Sequence, residues 1–485
     1  MRISAKSLLL MIIIIALVII DSYSIYAYFQ SPPLPYVGII GHYNGYYEVA
    51  NAYKDAAILV FNIPPFSINL KAINVSNNKY IWSTTIEGSF AVFPSSTRIN
   101  NELFILTYSS TYVKYNSSWK SFFVYNVTVI NALNGRIINQ TTIFSSPTGY
   151  YPYAAIVQDN IYILMIPVTH PKPANLTIVS FKVLDSEPYA IETWHDEIPY
   201  LCPPYSLGPV NVNRFGNYVL VTISCGFGDS AYYVLNSHNG KPVFMTKTSM
   251  GIYGVAKNTL IYQCPTGLCG LNLINNKTTW ELPIIGNVVS AVFNGDEAII
   301  LTMAGYTVWA YGILSNGTLL FHRELWSYST SSPCSGPFTL QFAVQSYLIK
   351  NNVLITIVPA GVGFIISPSS GCVPQSVILM NPINGDVLLS ITKPTWIINS
   401  NMVGPLLFET TYLGNNYIVY VMSTYTPYTD TEEFTYYLTT PETITNNKWY
   451  YLINDTPYPI TITTTLLIIL AILHERKTGR RKRQF

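Results

Sequence analysis

The chain is poor in charge: only 10% of its 485 residues are Asp, Glu, Lys or Arg, while 49% are hydrophobic. Lys and Glu, which favour helices, are scarce, whereas Tyr occurs at 39 positions and suits strands. The composition therefore predicts a β-rich protein with a neutral surface of hydroxyl and amide groups. Because such a surface gains little solubility from ionisation at neutral pH, we expect an acidic medium or attached glycans to keep it soluble.

The sequence also lacks the local motifs of common catalytic sites, with no His-Glu-x-x-His, Gly-x-Ser-x-Gly or phosphate-loop pattern. The densest group of possible metal ligands or acid/base groups is His195, Asp196 and Glu197. These residues are weak candidates for a metal or catalytic site on a loop, where function often resides. A solvated turn is the interpretation we favour, and we predict no cofactor.

Basic residues are concentrated in the segment after His474, which holds one acidic residue, Glu475, and six basic ones: Arg476, Lys477, Arg480, Arg481, Lys482 and Arg483. Arg2 and Lys6 add two more at the other end, so the region between is net negative. Neither a basic binding surface on the main body nor nucleic acid as its partner is expected.

An uncharged apolar run of thirteen residues, 8–20, follows the basic residues near the N-terminus. As a helix it spans about 20 Å, less than the roughly 30 Å of a hydrocarbon core. We interpret residues 1–29 as a secretory signal peptide cleaved between Ser24 and Ala27. The alternative is an uncleaved N-terminal membrane anchor.

A second apolar segment, residues 456–473, is flanked by the aromatic residues Trp449, Tyr450 and Tyr451 on one side and by the basic tail 474–485 on the other. This arrangement is typical of a transmembrane helix with an interfacial aromatic belt and a cytoplasmic positive end. Residues 37–455 then form an extracellular domain, preceded by a stiff Pro-rich leader at 30–36. The predicted location is the cell membrane.

Within this domain, the pattern of residues 129–138 predicts a β-hairpin. Asn134-Gly135 would supply the two positive φ angles of a two-residue turn. The pattern recurs in degenerate form at intervals of roughly 35 to 70 residues. The seven units lie at 73–82, 129–138, 183–194, 234–243, 271–280, 313–320 and 378–387.

Most units are followed by a second signature, a polar turn and then an apolar strand, at 100–106, 158–164, 215–221, 294–300 and 350–356. Two hairpins per period of about 40 to 50 residues indicate four-stranded propeller blades. We predict an all-β fold, a seven- or eight-bladed β-propeller. A pair of β-sandwich domains is the alternative.

Eight blades are preferred because the two ends of the domain can complete one blade. We expect strands at 46–49 and 57–61 to form half of this blade. Strands at 434–438 and 449–453 would form the other half.

The units resemble the repeats of pyrroloquinoline-quinone-type β-propellers, in which a strand, an Asp/Asn-x-x-Asn-Gly turn and a second strand often end in Trp. Trp82, Trp194 and Trp280 match that terminal position, and the resemblance covers roughly residues 60 to 425. Catalytic members of this group hold their quinone against a disulfide between adjacent cysteines, beside a bound calcium. This chain has no adjacent Cys pair and no Cys-x-x-Cys-His, so the resemblance implies the non-catalytic branch, which uses the propeller as a binding platform.

All six cysteines lie in the predicted extracellular region, where an even number favours disulfides. Pairing of sequence neighbours is the simplest of the 15 possible connectivities. It would join Cys202 to Cys225, Cys264 to Cys269, and Cys334 to Cys372. A zinc site at Cys264 and Cys269 is the alternative, but no second ligand pair completes it.

Export would make eight Asn-x-Ser/Thr sequons available for glycosylation, and those at hairpin turns are expected to be the most exposed. They begin at Asn74, Asn116, Asn126, Asn139, Asn175, Asn276, Asn316 and Asn454.

The sequence therefore predicts a membrane-anchored extracellular propeller that binds or scaffolds an envelope protein or a glycan. The alternatives are an extracellular hydrolase, a divergent quinoprotein enzyme and a structural component of a surface layer. Two carboxylates converging on the channel mouth would favour a glycosidase, whereas a mouth lined by apolar and amide groups would favour binding.

Overall fold

The computed structural model describes residue 15 and, between residues 32 and 447, all but short gaps at 44–47, 54–55, 64–66, 91–95, 116–117, 148–149, 168–174, 204–207, 227, 329–340, 350, 361–370, 399–400, 404–405, 414–416 and 427–430. The predicted signal or anchor segment, apart from Ile15, lies outside the described residues, as do the predicted transmembrane helix and basic tail. Nothing helical in the described part of the chain is long and apolar enough to span a bilayer.

Eight separate antiparallel sheets follow one another around a ring, which makes the chain an eight-bladed β-propeller. We call the strands of a blade a to d from the centre outward, because the a strands of neighbouring blades contact one another. Blades 1 to 3 comprise β2 (Glu48–Tyr53), β3 (Ala56–Ile63), β4 (Ser67–Asn74) and β5 (Lys79–Glu87); β6 (Ser89–Phe90) and β7 (Ser96–Ile99), which share position a, with β8 (Glu102–Tyr115), β9 (Ser118–Asn131) and β10 (Ile137–Pro147); and β11 (Tyr150–Val157), β12 (Asn160–Pro167), β13 (Asn175–Val183) and β14 (Ala190–Pro199).

The next three blades each contain four strands in sequence order. They are β15 (Val210–Phe215), β16 (Tyr218–Ser224), β17 (Ser230–Asn236) and β18 (Pro242–Thr248); β19 (Ile252–Ala256), β20 (Thr259–Cys264), β21 (Gly267–Asn272) and β22 (Lys277–Leu282); and β23 (Asn287–Asn294), β24 (Glu297–Ala304), β25 (Thr307–Leu314) and β26 (Leu319–Ser327).

Blade 7 has a fifth strand, and blade 8 combines both ends of the domain. Blade 7 comprises β27 (Gln341–Ile349), β28 (Asn352–Ala360), β29 (Gly371–Met380), β30 (Val387–Ile398) and β31 (Asn401–Val403); blade 8 comprises β32 (Leu406–Tyr412), β33 (Ile418–Thr426), β34 (Thr431–Thr439) and, as strand d, β1 (Gly38–Tyr43), and a short helix, α1 (Pro441–Asn446), follows it.

The ring closes through one N-terminal strand, not through half a blade. β1 pairs with β34 in the register Gly38 to Leu438, so blade 8 takes one strand from the N-terminus and three from the C-terminus. The predicted two-plus-two division is therefore wrong, because β2 and β3 are already needed as strands a and b of blade 1. The predicted strand 434–438 lies within β34, and 449–453 lies outside the described residues.

The hydrophobic core consists of eight clusters, one at each boundary between neighbouring blades. One of them joins Ile40 of β1 and Val419 of β33 to Ala52 and Leu59 of blade 1, so burial of apolar surface closes the ring together with strand pairing. The expected leader belongs to another: Leu34 is fully buried between blades 7 and 8, and its carbonyl accepts a hydrogen bond from the Tyr420 hydroxyl.

The predicted repeat units are the c–d hairpins of blades 1 to 7, and the second signatures are a–b hairpins. The turn chemistry differs from the expectation. In the unit at 129–138, Ala132 to Gly135 form a four-residue loop, in which the Gly135 amide donates to the Asn131 carbonyl. Of the Asn134-Gly135 pair, only Gly135 has a positive φ, +73°, so the predicted two-residue turn is wrong.

Asparagine side chains hold this loop at two points. Asn131 Oδ1 accepts from the Leu133 amide at 2.9 Å, and Asn134 Oδ1 accepts from the Arg136 amide at 3.0 Å. Such side-chain acceptors replace backbone partners in tight turns. The Asn-x-x-Asn spacing therefore reflects two local caps, and the same pair recurs in blades 1, 4, 5 and 7.

The topology gives the ring two different faces. All a–b and c–d turns lie at one end of the strands, which we call face A, and all b–c and d–a connections lie at the other, face B. The hairpins at face A close over a few residues. The longer stretches between strands, such as those from β12 to β13 and from β26 to β27, connect strand ends at face B.

Candidate functional site

A cavity of about 480 Å³ opens at face A among the a–b turns of blades 3 to 6. Phe215 and Phe293 form its apolar part, with their rings edge to face and 5.0 Å between centroids. Gly254 of blade 5 permits this contact between the two rings, because a Cβ atom at position 254 would lie within 2.9 Å of both. The polar lining comprises Gln158, Arg214, Asn217, Lys257, Asn258, Asn294 and Asp296.

The charged groups around this cavity are largely engaged by the protein itself. Arg214 Nη1 lies 3.6 Å from a carboxylate oxygen of Asp159, and Asp296 accepts a hydrogen bond from the Ser315 hydroxyl. Beside Asp296, burial raises the pKa of the Glu297 carboxyl. Asp296 is the carboxylate of the lining, whereas glycosidases use two carboxyl groups roughly 5–10 Å apart. Amide, phenyl and cationic groups of this kind suit reversible binding.

The eight innermost strands begin at face B, around the mouth of the central channel. Tyr151, Asn211 and Asn287 are exposed there. One of the eight first residues is acidic, and the set comprises Glu48, Ser89, Tyr150, Val210, Ile252, Asn287, Gln341 and Leu406. The four of these residues whose side chains the structure describes, Tyr150, Val210, Ile252 and Asn287, are aromatic, aliphatic or amide in character, which is the lining expected of a binding surface.

Face B also carries an aromatic group between blades 6 and 7. Trp326 packs edge to face on Phe342 with centroids 5.0 Å apart, and Tyr306 lies edge to face with Tyr328 at 5.8 Å. Tyr306 and Tyr328 are half-buried, so the group leaves part of its aromatic surface accessible. Tyrosine combines a large apolar ring with a polar tip, which favours it in binding surfaces.

Two disulfides confirm the predicted pairing of sequence neighbours, and both lie at face B. Cys202, after strand d of blade 3, is bonded to Cys225, after strand b of blade 4. Cys264 and Cys269 are bonded across the b–c turn of blade 5. Cys334 lies outside the described residues, so its pairing with Cys372 stays a prediction.

The structure places the weak metal candidates at a different location from the one expected. His195, Asp196 and Glu197 lie in β14, the outermost strand of blade 3, so both the loop site and the favoured solvated turn are wrong as locations. His195 and Glu197 are exposed, and Asp196 pairs with Lys241 Nζ at 3.2 Å across to blade 4. No three possible metal-ligating side chains form a group within the described ranges.

The Trp residues that carry the sequence resemblance connect neighbouring blades. Trp82 Nε1 donates to the carbonyl of Ala132 at 3.0 Å, and Trp194 and Trp280 make the same bond to Ser237 and Ser315 of the following blades. Each indole also covers the glycine of that next turn, since a Cβ atom on Gly135 would lie 2.6 Å from the Trp82 ring. These residues have a structural role between blades.

The sequons are distributed over both faces. Asn276 and Asn316 are exposed in c–d turns at face A, and Asn74 begins another such turn. Asn175 is exposed at the face B end of β13, whereas Asn126 and Asn139 are partly buried along blade 2. Asn116 and Asn454 lie outside the described residues, and glycosylation at any of the eight stays a prediction.

A belt of exposed apolar side chains, which the sequence patterns did not reveal, surrounds the perimeter at face A. We call it the apolar rim. It comprises Tyr36, Val37, Tyr80, Ile81, Leu133, Ile137, Ile138, Ile191, Ile274, Leu319, Leu320, Ile383, Val387 and Leu388. At face B, the corresponding exposed residues are fewer: Tyr151, Met250 and Ile285.

A repeated irregularity explains much of the apolar rim. Near the start of strand d, the register of blades 1, 2, 6 and 7 shifts by one residue, leaving Ile81, Ile138, Leu320 and Leu388 unpaired. A β-bulge places two residues opposite one and disturbs the alternation of side chains. Consecutive apolar residues such as Ile137 and Ile138 are consequently both exposed. The sequence signal was an apolar pair just after the c–d turn in these four blades.

No protein-family model matches the chain, and no curated protein matches its sequence. Among solved structures, similarity is found to the WD40 domain of SCAP from fission yeast, with 10% identity, 82% of this chain and 99% of that chain covered, and a TM-score of 0.36. The β-propeller domain of the Trilobed protease from Pyrococcus furiosus is 8% identical, with 72% of this chain and 96% of that chain covered and a TM-score of 0.36. The dihydro-heme d1 dehydrogenase NirN is 11% identical, with 80% of this chain and 73% of that chain covered and a TM-score of 0.37. At these values no activity or ligand is carried over.

Proposed function

We propose that the chain is a membrane-anchored extracellular β-propeller that binds or scaffolds another protein, or a glycan, of the cell envelope. The observation that carries the proposal is the described part of the face B end of the innermost strands, where Tyr151, Asn211 and Asn287 are exposed and none of the four strand starts with described side chains is acidic. Tyr and Asn provide contact area and hydrogen bonding for recognition, whereas hydrolysis of a glycoside needs a pair of carboxyl groups.

Two further features support a binding function for face B. The disulfides Cys202–Cys225 and Cys264–Cys269 fix connections at this face, and longer connections on a rigid scaffold are where binding residues concentrate. Face A, by contrast, is made of short turns capped by their own asparagines. The partner surface is therefore assigned to face B.

The proposal also includes membrane anchoring by the C-terminal segment and a relation to pyrroloquinoline-quinone-type propellers. The sequence supports a transmembrane helix at 456–473 and an exported domain, and export accords with the two disulfides, since these persist in oxidising compartments. The Trp-to-turn contacts of Trp82, Trp194 and Trp280 support a relation to pyrroloquinoline-quinone-type propellers, and the lack of an adjacent Cys pair in the sequence favours their non-catalytic branch.

The test is affinity purification of the full chain from gently solubilised membranes, with identification of co-purifying proteins and glycans. We expect a stoichiometric partner, whose recovery falls several-fold for Tyr151→Ala at the face B mouth. Tyr80→Ala is the matched control, because Tyr80 is an exposed tyrosine, 66% against 50% for Tyr151, at face A. Recovery of the protein alone and monomeric would contradict the proposal.

A further inference from the structure

Both ends of the described ring lie at face A. Strand β34 runs from face B to face A, because its last residue, Thr439, pairs with Ile418 just after the a–b turn of blade 8. Helix α1 follows at once. At the other end, β1 starts at face A, where Gly38 pairs with Leu438 and the Val37 amide donates to the Leu438 carbonyl.

The described chain therefore reaches face A at both ends of the ring, on the way to the segments that the sequence predicts to meet the membrane. Nine residues, 447–455, separate the end of α1 from the predicted transmembrane helix, and they reach at most about 30 Å when fully extended. Buried Ile444 of α1 and Leu34 of the N-terminal stretch lie in the same core cluster, so both ends leave from a fixed place in the ring. Face B is the end remote from both.

Face A also presents the apolar rim, which occurs in seven of the eight blades. The turn residues Leu133, Ile274 and Ile383 are 48%, 74% and 71% exposed. Exposure of this much apolar surface to water is unfavourable and marks a surface that is covered in use. A belt spread over seven of eight blades suits one broad flat occupant better than one small ligand.

Cations accompany the apolar residues at this face. Lys79, Arg136 and Lys277 directly follow the c–d turns of blades 1, 2 and 5, beside exposed apolar positions, whereas Asp386 has the same place in blade 7. Apolar side chains with flanking Lys and Arg are the composition of surfaces that lie in the headgroup region of a bilayer, where the cations meet lipid phosphates.

We propose that face A lies against the lipid bilayer, with the apolar rim in the interfacial region and face B turned away. This inference rests on the proposed anchoring at 456–473. It explains why exposed apolar residues are concentrated at the end from which both chain termini leave. In this orientation, the cavity lined by Arg214 and Lys257 faces the lipid headgroups. The channel mouth at face B then remains accessible to a partner.

The test places a fluorescent label at single cysteines in the full chain, reconstituted in vesicles of phosphatidylcholine and phosphatidylglycerol. The variants are Ile274→Cys and Ile383→Cys on the apolar rim, and Ile285→Cys, an exposed isoleucine at face B, as the matched control. The unsubstituted protein, labelled identically, gives the background of its native cysteines. Nitroxide-labelled lipid and aqueous iodide serve as quenchers.

Labels at 274 and 383 should be quenched by the lipid-borne nitroxide at least about twofold more strongly than the label at 285, and the order should reverse with iodide. Equal quenching at all three positions would overturn the orientation. Protection of 274 and 383 from both quenchers would also overturn it, because a second copy or another protein would then cover the rim.

Two controls separate this inference from the function on which it rests. Release of the protein by alkaline carbonate would overturn the anchoring itself, whereas retention with equal quenching would overturn only the orientation. A glycan found at Asn276 by mass spectrometry would contradict the docking, since it would hold the neighbouring Ile274 away from the lipid.

Discussion

Gly135, in the c–d turn of blade 2, is the position where one substitution tests how neighbouring blades are joined. Its φ of +73° lies in the left-handed region, and a Cβ atom there would come within 2.6 Å of the Trp82 ring and 2.8 Å of Thr84 Oγ1. Gly135→Ala, the smallest change, therefore strains the turn and displaces an indole that is 8% exposed and belongs to the neighbouring blade.

The magnitude follows from two contributions. A non-glycine residue in the left-handed region costs about 1–2 kcal/mol. Moving Trp82 weakens its 3.0 Å hydrogen bond to the Ala132 carbonyl, which contributes roughly 0.5–1.5 kcal/mol, and opens packing around the ring. We therefore expect Gly135→Ala to lower the free energy of unfolding by about 2–4 kcal/mol.

The control is Gly305→Ala. Gly305 also has a positive φ, +57°, but a Cβ atom added there would have no other atom within 4 Å, so only the backbone cost of about 1–2 kcal/mol applies. Both variants are compared with the unsubstituted protein by denaturant titration, followed by tryptophan fluorescence. Equal losses of stability would refute the reasoning, because the contact of Trp82 with the next turn would then contribute nothing.

The other two predictions concern the disulfides and pH. Replacing Cys202 and Cys225 by Ala removes a link across 23 residues and should lower the free energy of unfolding by about 3.5 kcal/mol. Replacing Cys264 and Cys269, separated by 5 residues, should lower it by about 2 kcal/mol. Equal losses in urea titrations would contradict the loop-entropy account. Burial lowers the pKa of Lys393 to about 8. Because this pKa is below the value in the unfolded chain, protonated Lys393 lowers the free energy of unfolding at neutral pH, and this free energy rises as the pH increases from 8 toward 10. Lys393→Met should abolish that rise in thermal melts at graded pH. An unchanged pH profile in the variant would contradict the prediction.

Local sequence was sufficient to predict the repeated hairpins, because each is specified by residues a few positions apart. The c–d hairpins of blades 1 to 7 were all identified from a polar turn between apolar runs, and the preferred number of eight blades, which is confirmed, came from adding one blade made of the two chain ends. The backbone of the turns was not predicted correctly. Asn131 and Asn134 act through side-chain acceptors, which a pattern based on φ preference does not represent.

Ring closure depends on residues almost 400 positions apart and was predicted only in outline. Two N-terminal segments, 38–43 and 48–53, both have strand character, and the choice between them depends on what blade 1 requires as its innermost strand. That requirement is set by packing of Ile40 and Ala52 in one cluster. Nothing in the local pattern encodes it.

The candidate site was the least predictable feature. The densest group of ligand-type residues, His195 to Glu197, belongs to an outer strand, because period and turn signals do not tell which strand of a blade a segment becomes. The face B mouth is assembled from the starts of eight strands distributed along the chain. The apolar rim likewise depends on topology to place its turns at one face.

Photo-crosslinking from two positions tests the central claim most directly. A photoreactive amino acid at position 151, on the face B mouth, and another at 274, on the apolar rim, are activated in intact membranes of cells that make the full chain. The account predicts a discrete protein or glycan adduct from 151 and lipid adducts from 274. A discrete partner adduct from 274, with none from 151, would contradict it.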